Sequence, residues 1–348
     1  MTNLKNLLRR FALSTVAACF LPLAPIAFAA PKPPAPLVLI HRFELPGYVT
    51  GRFDHFGVDL AGNRLFLAAE SMHQVLVLNL KTGTVIHRMS DIEIPHAIVY
   101  RETVNRIYVT DGGAAALKVF DGKNYRLVKS IQLQLDADSV AYDQTMRYLY
   151  IVNGGEDAHQ PTSLVSVIDT NTDTKVGEVT IDSPHVEAMA VDTTSSRLYV
   201  NNTGKNKLDV VDREKYRFMT SWPVTLCKQN VPAALDEANN RLFIGCRSGQ
   251  ISVFDTQTGK EIQGLTIGKG IDDLTFDPRN KRIYASCGTD GRVYVFQQKS
   301  ADNYEPLGSV ASGPGARNSR YIPGLHELLV SVPAHQGAAA EVLVYRDR

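Results

Sequence analysis

The chain has 348 residues, with 37 lysines and arginines against 36 aspartates and glutamates, a formal net charge of +1. A balance that close excludes the strongly basic footprint of a nucleic-acid or anionic-membrane binder. With 44% hydrophobic and 21% charged residues the composition is globular, neither disordered nor collagenous, and it contains a single Trp.

Residues 1–29 read as an export signal. Lys5, Arg9 and Arg10 precede an apolar run from Phe11 to Phe28, and small residues at Ala27 and Ala29 fit cleavage after Ala29. Val16-Ala17-Ala18-Cys19 as a lipobox and Arg9-Arg10 as a twin-arginine signal stay open as other routes. Residues 30–36 form a proline-rich leader. No later stretch is long and apolar enough for a transmembrane helix, so no membrane anchor is expected after signal removal.

From residue 37 the chain is periodic. Gly57-Val58-Asp59 followed by Asn63-Arg64-Leu65-Phe66-Leu67 opens a unit that returns six times. The anchors are Asp59, Arg101, Asp143, Asp192, Asp236, Asp277 and Ile322, spaced by 41 to 49 residues. Each is followed by a short polar turn and an alternating strand, Arg106-Ile107-Tyr108-Val109-Thr110 being typical. A further strand then closes on Asp and a turn, as in Val119-Phe120-Asp121 and Val253-Phe254-Asp255. There the carboxylate can bond the backbone of its own turn. Four short strands per unit is the period of a propeller blade, and seven anchors predict an all-β, seven-bladed β-propeller over 37–348. The last unit lacks an outer strand, which Leu37–Phe43 can supply, closing the ring and pairing both open edges.

Ile107-Tyr108-Val109-Thr110-Asp111 and Leu198-Tyr199-Val200-Asn201-Asn202, each after Arg, resemble the YVTN repeat of bacterial propellers. The chain from residue 37 onward is similar to the YncE-like family, with Gly51-Arg52-Phe53-Asp54-His55 opening the first blade and Gly313-Pro314-Gly315-Ala316-Arg317 the last. The resemblance implies an exported or periplasmic propeller used as a binding platform; it does not name a ligand, since fold does not fix function.

Loops on one face of a propeller surround the central channel. Five residues before the successive anchors stand Asp54, His96, Asp138, Glu187, Val231, Asp272 and Arg317, with His55, Asp136, His185, Asn230, Asp273 and Asn318 nearby. This acidic and histidine-rich mouth is the expected ligand-binding face. Asp54, Asp138, Glu187 and Asp272 are candidate ligands for a divalent metal ion in the channel, and His55, His96 and His185 are candidate general bases. Polar residues at a wet channel mouth also arise without any ligand, because they avoid a desolvation cost. His73, His159 and His335 map to the same face.

Three cysteines follow the signal. Cys227 and Cys246 are placed to bridge within blade 5, leaving Cys287 free, against the alternative of no bridge. C-x-x-C-H, a phosphate-cradling Gly-rich loop and G-x-S-x-G are all absent from the sequence. Trp222 falls on an outer strand, where inter-blade packing is the expected role. The overall expectation is a monomeric, non-catalytic, periplasmic or secreted binding or scaffold protein for a small ligand or an envelope protein. The alternative is a metal-dependent lyase or lactonase working at the same face.

Overall fold

A computed structural model describes residues 34–347, so the signal reading lies outside the described residues. Twenty-eight strands pair antiparallel into seven four-stranded sheets arranged as a ring of blades. Blade 1 spans Phe56–Met89, blade 2 Pro95–Gln132, blade 3 Val140–Ile181, blade 4 Met189–Pro223, blade 5 Asn230–Thr266 and blade 6 Ile271–Ala311. Blade 7 takes its inner three strands from Ser319–Ile322, Glu327–Val332 and Glu341–Asp347. Its outer strand is Leu37–Glu44, with Leu37 opposite Asp347 and Glu44 opposite Glu341. The ring closes as the sequence predicts.

The repeat residues have local reasons. The hairpin between the first and second strands closes on a left-handed residue: Asn63, Asn105 and Asn240 have φ of 54°, 48° and 56°. Asn tolerates that conformation better than most L-residues, hence the recurring Asn-Arg pair. The anchor carboxylates hold the same turns. Asp59 accepts from the Gly62 N–H at 2.8 Å, and Asp143 from the N–H groups of Thr145 and Met146 at 2.8 and 3.1 Å.

The repeat arginines staple neighbouring blades. Arg64 donates to the Gly122 carbonyl of blade 2, Arg197 to the Thr256 carbonyl of blade 5, and Arg241 to Asp302 of blade 6 at 2.7 Å. Arg282 pairs with Asp347 of blade 7. Arg213 of blade 4 reaches back to Asp143 of blade 3 at 2.5 Å, where both side chains are buried. The YVTN-type tyrosine faces the next blade too, Tyr108 donating to the Thr170 carbonyl at 3.0 Å.

Second strands such as Arg64–Ala69 and Arg241–Cys246 are buried almost throughout, because a blade packs on either side of them. Outer strands such as Val85–Met89 and Leu127–Gln132 are largely exposed. Trp222 packs between blades, 5.5 Å from the Tyr199 ring of its own blade and 6.4 Å from Phe254 of blade 5.

Cys227 and Cys246 form a disulfide, and Cys287 is a buried free thiol pushed up to about 12 by burial. The bridge closes a loop of 19 positions, which restricts the unfolded chain by about 3 kcal/mol. Reduction is therefore expected to lower the urea midpoint without changing the strand signature in circular dichroism. An unchanged midpoint after complete reduction, verified by thiol titration, would contradict this.

Candidate functional site

Three of the mouth residues are held by the same device. Asp54, Asp138 and Glu187 each donate their backbone N–H to a carbonyl of their own blade's second strand, those of Ala68, Val152 and Asn201, at 2.9, 3.0 and 2.9 Å. From the side, the polar residue of the YVTN-type segment fixes the next blade's loop. Thr110 donates to the Asp138 carbonyl at 2.8 Å and Asn201 to the Val231 carbonyl at 2.8 Å. In blades 1, 3 and 4 the repeat thereby holds the mouth residues in the same way.

Asp54 is the hub. It is buried, and its two oxygens lie 2.5 Å from His55 Nδ1 and 2.7 Å from His96 Nδ1. Asn318 of blade 7, also buried, donates to Asp54 and to Asp272 at 3.3 Å each, tying the closing blade to both neighbours. His96 Nδ1 stands 3.7 Å from Asp138, and His55 Nε2 stands 3.6 Å from Asp273, which accepts the Ser319 N–H at 2.6 Å.

Burial and charge compete throughout this network. Burial disfavours ionised Asp54, yet the two imidazoles beside it overcome that and hold its carboxyl well below the usual range. Burial likewise opposes protonated His96, but the charges of Asp138 and Asp54 raise it to about 9. Protonated His55 is favoured in the same way by Asp54 and Asp273. Burial, reinforced by the charges of Asp54 and Glu187, lifts Asp138 to about 7 against the pull of His96. Burial lifts Asp273 to about 6.

On the other side of the mouth Arg247 bonds Asp272 at 2.6 Å and lies 3.7 Å from Glu187, while Arg317 reaches Asp272 at 3.1 Å. His185 bonds Glu187 at 3.1 Å from the half-exposed rim. Asp54, Asp138, Glu187 and Asp272, with His55, His96, Arg247, Arg317, Arg52 and Glu70, line a pocket of about 130 Å³ to which every blade contributes, and His185, Asp273 and Asn318 stand outside that lining.

The four carboxylates read as a metal set do not gather round one point. Glu187 and Asp272 face Arg247, whereas Asp54 and Asp138 face His96. Among the described residues the trio Asp54, His96 and Asp138 does bring one ligand atom from each within 4.8 Å of the others. Those are the residues that could hold a cation, at the expense of the His96 proton. Asn230 is buried away from the pocket, in the seam between blades 4 and 5, donating to Asn201 at 2.9 Å and to the Lys207 carbonyl at 3.1 Å. Asp136 sits in the loop ahead of Asp138, its carboxyl raised by burial and then by Asp157. His73, His159 and His335 occupy loops of this face outside the pocket lining.

Two arginines escape the sequence reading. Arg52 pairs with Glu70 at the rim. Arg247 comes from the turn after the second strand of blade 5, the blade whose own ring position is the apolar Val231. Comparing that turn across the repeats, as well as the loop before each anchor, would have found it. With Arg52, Arg247 and Arg317 facing the carboxylates, the mouth is an alternation of charges and not an acidic ring.

No protein-family model matches the chain. Two curated relatives, each named "Uncharacterized protein YncE", come from Salmonella typhi and Salmonella typhimurium. They are 26% and 25% identical over 120 residues, covering 33% of this chain and 34% of each relative. The match thus spans about a third of the length of those relatives. With that match and the seven blades in place, the chain is a seven-bladed β-propeller similar, along about a third of its length, to the YncE proteins. Among solved structures, a chain of "Kuenenia stuttgartiensis Hydrazine Synthase" superposes with a TM-score of 0.69 at 14% identity, covering 81% of this chain and 94% of that one. A chain of "Crystal Structure of Mitotic Checkpoint Complex" gives 0.74 at 15% identity, covering 96% and 99%. At such identities the likeness is one of fold. Among the described residues no helix is long and apolar enough to cross a membrane.

Proposed function

We propose that this YncE-like propeller is an exported, non-catalytic binding protein whose working part is the charged channel mouth. The observation that carries the reading is the convergence of ionisable side chains from all seven blades on one small pocket, with Asn318 of blade 7 bonding the carboxylates of both its neighbours. Ionised acids there face cations at short range: Asp272 faces Arg247 and Arg317, and Asp54 faces His55 and His96. Such a pre-paired lining is suited to a small polar ligand that carries both signs of charge and exchanges its groups for those already present. Export is supported by the signal-type pattern of residues 1–29 and by the Cys227–Cys246 bridge, since disulfides persist in oxidising compartments.

The experiment is metal analysis of the purified protein beside an Asp138→Ala, Glu187→Ala double variant, with the mature N-terminus read by mass spectrometry from an envelope fraction. The expected result is a chain beginning at Ala30 that carries no stoichiometric divalent metal in either form. One equivalent of divalent metal in the unmodified protein, lost in the variant, would overturn the metal-free reading in favour of chemistry at Asp54, His96 and Asp138. A chain retaining residues 1–29 in the cytoplasm would overturn export.

A further inference from the structure

Below the mouth lies a second cavity of about 410 Å³, the central channel itself, lined by the innermost strands. Its walls mix apolar side chains, Ile98, Val140, Met189 and Leu274 among them, with the charged residues His55, Asp272 and Asp273 at the end nearest the mouth, and one arginine, Arg320 of blade 7, stands in the lining. The strand register shows how exceptional that position is. Arg320 pairs with Leu329 where, in the other blades, Gly57 pairs with Phe66, Val99 with Tyr108, Ala141 with Tyr150, Ala190 with Tyr199, Ala234 with Phe243 and Thr275 with Tyr284. Six small or uncharged residues thus occupy the level at which the seventh blade places a guanidinium.

The repeat arginines of this fold are consumed by structure; Arg64, Arg197, Arg241 and Arg282 each bond a neighbouring blade. Arg320 is different. Among the described residues it takes part in no hydrogen bond or ion pair, and it keeps its surface open to the channel. Asp273 is the charge it feels, but that carboxylate is engaged by the Ser319 N–H at 2.6 Å and by His55. Its side chain is exposed to the channel and has no bonded counter-ion, so the cation is open to an entering anion.

We infer that the channel is a binding site for a small organic monocarboxylate, the carboxylate clasped by Arg320 and the apolar body lying along the channel wall. A guanidinium presents paired N–H donors that match a carboxylate in fork geometry. One arginine without a second free cation suits a single negative charge better than the double charge of phosphate. The volume falls within the range of small-molecule pockets, and the apolar stretch of wall formed by Ile98, Val140, Met189 and Leu274 supplies the driving force for the ligand's body. The channel shares His55 and Asp272 with the mouth pocket, but Arg320 lines only the channel and Asp138 and Glu187 line only the mouth, so variants at those positions tell the two sites apart.

The test is calorimetric titration of the full mature chain with benzoate and hexanoate, set against benzyl alcohol, hexanol and inorganic phosphate. The expected result is saturable 1:1 binding of the carboxylates, at least tenfold weaker binding of the alcohols and of phosphate, and at least tenfold weaker carboxylate binding in Arg320→Met. Arg320→Lys retains the charge without the fork and is expected to fall between. The Asp138→Ala, Glu187→Ala variant is expected to bind carboxylates as the unmodified protein does. Equal binding of acid and alcohol, no binding of either carboxylate, or full binding in a folded Arg320→Met would each overturn the proposal. If Arg320→Met does not fold, Arg320→Lys together with the acid–alcohol comparison decides it.

Discussion

Raising the pH from 6.5 to 9 is expected to destabilise the fold, and His96→Gln is expected to remove a part of that loss, His55 beside Asp54 keeping its own share. The ordinary histidine value is 6.5, and in the mouth His96 is raised to about 9, by Asp138 and Asp54 against the effect of burial. Below 6.5 the folded and unfolded chains both hold the proton, and the full stabilising contribution is present. Above it the unfolded chain releases its proton first, and the contribution is gone once the pH passes the folded value. At about 1.4 kcal/mol for each pH unit, the interval from 6.5 to about 9 corresponds to about 3 kcal/mol. Asp138 acts in the same direction at lower pH. Burial lifts it from 3.8 to about 7, so the folded chain keeps a proton that the unfolded chain has already lost. Asp54 acts in the opposite sense, because its lowered value stabilises the fold above 3.8 and is lost on acidification below that. The stability maximum should therefore lie at mildly acidic pH. Urea midpoints measured across the range decide the matter: His96→Gln should make the limb above 6.5 shallower and Asp138→Asn the limb beneath 7. A level profile between 6.5 and 9 in the unmodified protein would refute the assignment.

The largest effect of a single substitution away from the mouth is expected at Arg213. Its guanidinium lies 2.5 Å from Asp143 with 5% of the side chain exposed, against none for Asp143. Arg213→Leu leaves that carboxylate buried without its partner, a change that typically costs about 3–5 kcal/mol. Asp143 keeps its bonds to the N–H groups of Thr145 and Met146, so the turn should survive while the seam between blades 3 and 4 weakens. Adding Asp143→Asn to Arg213→Leu removes the stranded charge but can still accept from the turn. The double variant is expected to recover most of the lost urea midpoint. A single variant within about 0.5 kcal/mol of the unmodified protein, the usual range for surface changes, would show that the pair contributes little.

How much could be read beforehand follows from what the repeat repeats. The anchors, the Asn-Arg pair and the Asp-closed turns recur because every blade needs the same hairpins, and so the blades and the closing strand Leu37–Glu44 were legible. The likeness to YncE-like propellers rested on the same segments. Placement of Asp54, His96, Asp138, Glu187 and Asp272 at one mouth was legible for the same reason. What aligned positions do not carry is which neighbour a long side chain meets. Arg247 enters from a different loop, Arg213 crosses a seam, and Arg320 departs from the repeat at a level where its counterparts are small. Asn230 shows the converse. It aligns with the mouth, yet its amide turns into the seam, where Asn201 and the Lys207 carbonyl accept its protons.

The shared seventh blade has a kinetic consequence. Arg42 and Glu341 meet across 299 positions of chain, so the first strand of the propeller waits for its last before its edge is paired. Loop-closure entropy grows only with the logarithm of that separation, so the thermodynamic penalty is modest. The rate penalty is larger, because contacts so distant in sequence form late. Until then Leu37–Glu44 is an unpaired edge beside an incomplete ring, the kind of intermediate that associates with other chains. A protein wired this way gains from staying unfolded until both ends of the propeller have been made.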